Sequence, residues 1–129
     1  MTFRHLAAAV GFASLALAQT AAQPLVLKSV SGEQALRILE AARAKCREMK
    51  LGEISVAVVD RAGTVKLLYA ADNANPHSLE LAQRKAYTAR TFRLATSAWA
   101  QRTAPGQDQN GQRNLDQVIP LGGGVPVLS

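Results

Sequence analysis

The sequence is poor in the residues that build staples and metal centres. It has one cysteine, Cys46, so no internal disulfide can form, and two histidines, His5 and His77, so the three or four ligands of a zinc site cannot be gathered. Aromatics make up 5% of the chain, and beyond residue 18 only Tyr69, Tyr87 and Phe92 accompany Trp99. With no run of basic residues beside so few stacking rings, nucleic acid is set aside as a partner. Glycine-rich phosphate loops and the G-x-S-x-G nucleophile turn are absent. Ser78 next to His77 does not replace them, because neighbours in sequence rarely face each other and no acid is placed to orient the imidazole. The one long apolar run, residues 6–17, is about 12 residues, short of the ~20 that a membrane-crossing helix needs.

That run has a different meaning. Arg4 precedes it, and Ala16-Leu17-Ala18 puts small residues at −3 and −1 of a cut before Gln19, the pattern of a cleaved secretory signal over residues 1–18. A cut after Ala22 is the alternative site, and a buried N-terminal helix the alternative structure, disfavoured because the run has no polar face. Export predicts a periplasmic or secreted protein without a stable membrane anchor. Cleavage removes only Arg4 of the 15 basic residues and none of the 9 acidic ones, leaving a net charge of +5. Charge scattered over helices and loops is a solvated surface first, and an attraction for small anions second.

The remaining 111 residues suit one domain, residues 31–129, behind a connector at 19–30 in which Leu25-Val26-Leu27 is a candidate edge strand. Ser31 with Gln34 three positions on forms a capping-box signature, and Leu36, Leu39, Ala42, Cys46 and Met49 follow on one stripe, so a helix is expected up to Gly52. Cys46 on that stripe reads as buried. Two apolar β-branched runs, residues 54–60 and 64–70, flank Arg61-Ala62-Gly63 and predict a hairpin. Both phases of the first run are apolar or small, as in a strand covered on both faces, whereas the second lies nearer an edge. Asp60 at the bend is expected to accept backbone N–H groups of the turn. After residues 72–78 comes a helix from Leu79, capped by Ser78 or His77. It carries Leu81, Ala82, Lys85, Ala86, Ala89, Phe92 and Arg93 near one stripe. Lys85 is a cation inside an apolar stripe, and such a residue must reach the rim or meet an anion. Thr96-Ser97 is a candidate start for another helix, residues 103–114 are a polar loop without regular structure, and residues 122–128 turn into a strand.

VAVVDRAG at 56–63, Asp72-Asn73-Ala74, Ser78, AQRKAYTA at 82–89 and PLGGGVPV at 120–127 together resemble the haem-degrading HbpS-like group, also called the GlcG-like or DUF336 family. The resemblance runs from about residue 33 to 127. It implies an α/β (α+β) fold, a profilin-like sandwich with helices packed on the faces of an antiparallel sheet, often as a homo-oligomer. Members continue beyond the Gly-Gly-x-Pro-Ile stretch with a Gly-x-Ile-Gly-Val-Ser-Gly strand and a final helix, which this sequence lacks. A truncated frame, or a sheet completed by another chain, would each account for that, and either leaves an unpaired strand edge.

For function the resemblance implies an exported haem-binding protein that sequesters or senses haem or iron, with haem degradation as an extension that no residue here argues for by itself. A binding protein is therefore expected before an enzyme, and no catalytic residue is assigned. His77 is the candidate iron ligand, against the plainer reading of a surface histidine, with Met49, Cys46 and Tyr87 alternatives by type. Lys85, Arg84 and Arg90 are candidates for the two propionates, and Gly122 and Gly123, with Gly124, for backbone contacts to haem or another small anionic ligand. The rival expectation is an accessory subunit of a periplasmic oxidation system that binds a small organic acid and no metal.

Overall fold

A computed structural model describes residues 23–128. The expected signal segment, residues 1–18, and the alternative cut after Ala22 fall outside the described residues. The elements in order are α1 (Gly32–Glu48), β1 (Ser55–Val59), β2 (Val65–Ala70), α2 (Ser78–Phe92), α3 (Thr96–Arg102) and a 3₁₀ turn, η1 (Asn110–Asn114). No helix among the described residues is long and apolar enough to cross a membrane.

Local signals explain most of these boundaries. The Ser31 hydroxyl accepts from Gln34 N–H, and the Gln34 side chain accepts from Ser31 N–H, a reciprocal cap that satisfies two otherwise orphaned donors. The hairpin turns at Gly63, whose φ of 85° is the left-handed conformation that costs glycine nothing. Asp60 carboxylate accepts from Ala62 and Thr64 N–H at 2.8 and 3.0 Å, as its place in the bend predicts. The strands pair antiparallel with Val56 opposite Tyr69 and Val58 opposite Leu67. A bulge then shifts the register so that Val59 meets Val65.

The two long helices lie on opposite faces of this ribbon. Ser55 and Ser78 hydroxyls meet at 2.6 Å, which puts α2 on the Ser55/Ala57 face. The Arg43 guanidinium lies 5.0 Å from the centre of the Tyr69 ring, which puts α1 on the face of Tyr69 and its partner Val56. The rest of the core lies behind α2. Trp99 is 0% exposed, stacks on Phe92 with ring centres 4.7 Å apart, and donates its indole N–H to Gln112.

Several expectations change. The buried line of α1 runs through Ala35 and Leu39, while Leu36 and Met49 are 56% and 54% exposed and Cys46 is half-buried. Neighbouring stripes share residues at a 3.6 period, and spacing alone does not say which is turned inward. Residues 25–27 form no strand and are exposed. Nor do residues 122–128. Gly124 exchanges hydrogen bonds with Thr96, its carbonyl accepting from Thr96 N–H and its N–H donating to Thr96 Oγ1, and Pro126 has no N–H for a ladder. Conversely, the loop expected to be irregular contains η1. Asn110 donates to Thr103 carbonyl, and Arg113 donates to Thr103 Oγ1 and Ala100 carbonyl, so side chains sew it to the end of α3. Lastly, β1 reads from its sequence as covered on both faces, and β2 as lying nearer an edge. Helices do cover both faces of β1, but the sheet has two strands and β1 has no strand on its other side among the described residues.

Candidate functional site

A groove of about 1390 Å³ follows from this arrangement. With α1 and α2 on opposite faces of the ribbon, residues of both helices and of β1 line this groove together. Its floor is the edge of β1. Ile38, Ala42 and Cys46 of α1 form one wall, Leu81, Ala82 and Ala86 of α2 the other, and the tail 123–128 closes one side. Small residues on α2 thus line open space as well as packing on the sheet.

The rim is basic. Lys28, Arg37, Arg61, Lys85, Arg90 and Arg93 border the groove, and Asp60 is the single carboxylate among its lining residues. That carboxylate is already bound to two turn amides. An occupant therefore meets apolar walls and an excess of positive charge with no equal opposing set.

The residues singled out in the sequence separate into three places. Lys85 and Gly123 come together in the groove: a Cβ built on Gly123 would lie 3.5 Å from Lys85 Nζ. Arg90, five residues further along α2, also lines the groove. Gly122 lies just outside, against Ser97. Gly124 is wedged between elements. A Cβ there would collide with the Lys85 carbonyl and lie 2.7 Å from the Thr96 methyl, so only glycine permits this approach of tail to helix.

Arg84 occupies a different surface. One position from Lys85 on α2, it faces a smaller cavity of about 480 Å³ with Tyr87 and Asp116, donates to Val118 carbonyl at 2.7 Å and pairs with Glu80. Its Nε is buried without a partner. Arg84 thus ties the 115–119 segment to α2, as does the Thr88 hydroxyl, which accepts from Ile119 N–H and donates to Arg84 carbonyl.

His77 lies in the third place. It is exposed at the N-terminus of α2, makes no capping bond through its side chain, and lines neither cavity, although Ser78 beside it lines the groove. Of the alternative ligands by type, Cys46 lines the groove, Tyr87 the smaller cavity, and Met49 ends α1 exposed. No group of three or more His, Cys, Asp or Glu able to hold a metal ion exists among the described residues. Arg37, Arg93 and Lys28 were missed by the sequence reading. Arg93 follows α2 in the left-handed conformation, φ 52°, and its place on the rim depends on that turn of the chain.

Comparison with known proteins follows this geometry. The chain is 30% identical over 96 residues to an uncharacterized 15.0 kDa protein of Citrobacter freundii encoded in the dhaT-dhaS intergenic region, covering 73% of this chain and 67% of that one. The crystal structure of HbpS is similar at 32% identity and a TM-score of 0.70, covering 90% of this chain and 77% of the other. A PduOC:heme complex is similar at 26% identity and a TM-score of 0.66, covering 73% and 69%. The α+β arrangement, helices on the faces of an antiparallel ribbon, is thus that of a known structural group. Residues 30–129 match the family described as haem degrading protein HbpS-like, and the chain belongs to that family.

Proposed function

We propose that the protein is exported and binds haem in the groove between α1 and α2, to sequester or sense haem or iron. The observation that carries this reading is the pairing of a groove between apolar helix walls with six basic side chains on its rim, of which Arg37 is paired with Glu33, against one engaged carboxylate. Haem is flat, apolar over most of its surface and carries two carboxylates, so it meets both features with one molecule. Lys85 and Arg90 would take the carboxylates through charge-assisted hydrogen bonds. A PduOC:heme complex among similar structures, and the family's description, support the same ligand.

Iron ligation is a separate matter from docking. His77 would hold iron only for a haem that reaches the mouth of the groove at the start of α2, whereas Cys46 stands inside. Titration of the mature chain, residues 19–129, with hemin should give a shifted, sharpened Soret band. A double variant, Lys85→Ala with Arg90→Ala, should weaken binding, and the His77→Ala and Cys46→Ala variants report which side chain touches iron. A hemin spectrum identical to that with an inert basic protein would end the proposal.

His77 lying off the groove favours a second reading, a metal-free site for a small organic acid in an accessory subunit of an oxidation system. Iron-free protoporphyrin separates the two. Equal affinity for protoporphyrin and hemin, together with silent His77→Ala and Cys46→Ala spectra, points to carboxylate recognition without the metal.

A further inference from the structure

The polar segment after α3 holds the chain's single Asn-Gly step, Asn110-Gly111. That pair carries a chemistry of its own. The backbone nitrogen of the residue after an asparagine can attack the side-chain carbonyl carbon, and glycine, having no Cβ, obstructs the approach least. Nothing stands within 4 Å of a Cβ built on Gly111, and Gly111 is exposed, so neighbouring atoms leave the step open to water.

Two features of the fold hold the reaction back. Asn110 opens η1, and a 3₁₀ backbone has ψ of about −20 to −30°. Ring closure instead needs the Gly111 nitrogen and the Asn110 Cγ nearly eclipsed about the Asn110 Cα–C bond, a large rotation away from that ψ. The side-chain amide is engaged as well. Its Nδ2, the group that has to leave, donates to the Thr103 carbonyl at 2.9 Å. Both restraints depend on η1 staying fastened to α3. Arg113 supplies most of the fastening, donating from Nε to Thr103 Oγ1 at 3.1 Å and from Nη2 to the Ala100 carbonyl at 2.6 Å. The Trp99 indole adds a bond to Gln112 at 3.2 Å.

We infer that Asn110 is a deamidation site latched by η1, and that its conversion to aspartate or isoaspartate unfastens η1 from α3. The Gly111 amide gives its proton to solvent base, and its nitrogen bonds to Asn110 Cγ. The Cγ–Nδ2 bond breaks, and Nδ2 leaves as ammonia with a proton from water. Water then opens the succinimide ring. Attack at Cγ gives aspartate in the original backbone, and attack at the Asn110 backbone carbonyl carbon gives isoaspartate, with the chain rerouted through the side chain. One amide and one water are consumed, and one carboxylate and one ammonium ion are formed, with no oxidant or reductant. Either product lacks the Nδ2 donor and brings a carboxylate into its neighbourhood. The Thr103 carbonyl then loses its partner, and a part-buried acceptor without a donor is destabilising. Arg113 can meet the new carboxylate only by releasing Thr103 and Ala100. Asn110 and Gly111 line neither cavity, so the inference is independent of the haem reading.

The test follows the purified chain and a synthetic peptide of residues 103–113 at one mildly alkaline pH. Trypsin cuts after Arg102 and Arg113, and the fragment between holds no other asparagine, so fragmentation by mass spectrometry locates the product at Asn110. Deamidation should run at least about tenfold slower in the folded chain than in the peptide, because the rate is scaled by the fraction of time that η1 stands open. Arg113→Ala should raise the rate in the chain towards that of the peptide. Amide exchange at Ala89, buried in α2, should stay slow in that variant, which distinguishes local opening from unfolding. Asn110→Asp should speed exchange at Gln112 and Leu115, whose N–H groups bond to the Gln109 and Gln112 carbonyls. Equal rates in chain and peptide overturn the proposal, as does a peptide in which Asn110 stays intact. So does an Asn110→Asp chain whose exchange at Gln112 and Leu115 matches that of the original.

Discussion

The two sides of α2 are finished to different degrees. On the side of α3 and η1, Trp99, Thr88, Thr96 and Thr103 are fully buried, and each of these side chains has a hydrogen-bond partner. On the side of β1, the residues of Ser55–Val59 other than Val58 are only half-buried, and the helix faces above and below them border open space. Sidedness of this kind separates two roles. One half is closed around its own side chains and supports the fold, whereas the other leaves apolar surface bordering open space among the described residues.

The contrast should be visible in stability. Trp99→Ala removes the ring that closes the α2–α3 side, with its stack on Phe92 and its bond to Gln112, and should cost about 3–5 kcal/mol by urea unfolding followed by circular dichroism. A loss under about 1 kcal/mol, the size of an isosteric hydrophobic swap, would mean that this half is not closed. Gly124→Val drives side-chain atoms into the Lys85 carbonyl and the Thr96 methyl and should cost about 1–3 kcal/mol. The same variant should weaken hemin binding, since Lys85 borders the groove where the tail is displaced. Ser31→Ala removes the α1 cap and should cost about 1 kcal/mol, with exchange increasing first at Gln34 N–H. Leu36→Gln should stay within about 0.5 kcal/mol, because this leucine faces outward despite its position on the apolar stripe. A larger loss would restore the face of α1 that the spacing suggested.

Legibility of the fold follows sequence distance. The Ser31 and Gln34 cap, the Asp60 bend and the Gly63 turn each connect residues a few positions apart, and residue type alone announces them. The contacts that close the other half join Thr96 to Gly124, Arg84 to Val118 and Thr103 to Arg113, polar pairs 10 to 34 positions apart with no local signature. A triple glycine read as a flexible turn is in fact a close packing of tail on helix. For the candidate site, Lys85 stands out because a cation in an apolar stripe contradicts its surroundings, and in the structure it lies against Gly123. Arg84 and Lys85 look alike as letters but face different cavities, since one step along a helix turns the side chain by about 100°. Arg37 has no such contradiction to betray it, whereas Arg93 carries the same signal at the far end of the same stripe.

The stacked pair of Phe92 and Trp99 has an optical consequence. Trp99 is the chain's single tryptophan, and it sits behind α2, shielded from solvent and tied to Gln112. Intrinsic emission colour therefore registers loosening of the helix junction and of η1, and it is insensitive to rearrangement along β1, on the other side of α2. Fluorescence watches the closed half of the molecule.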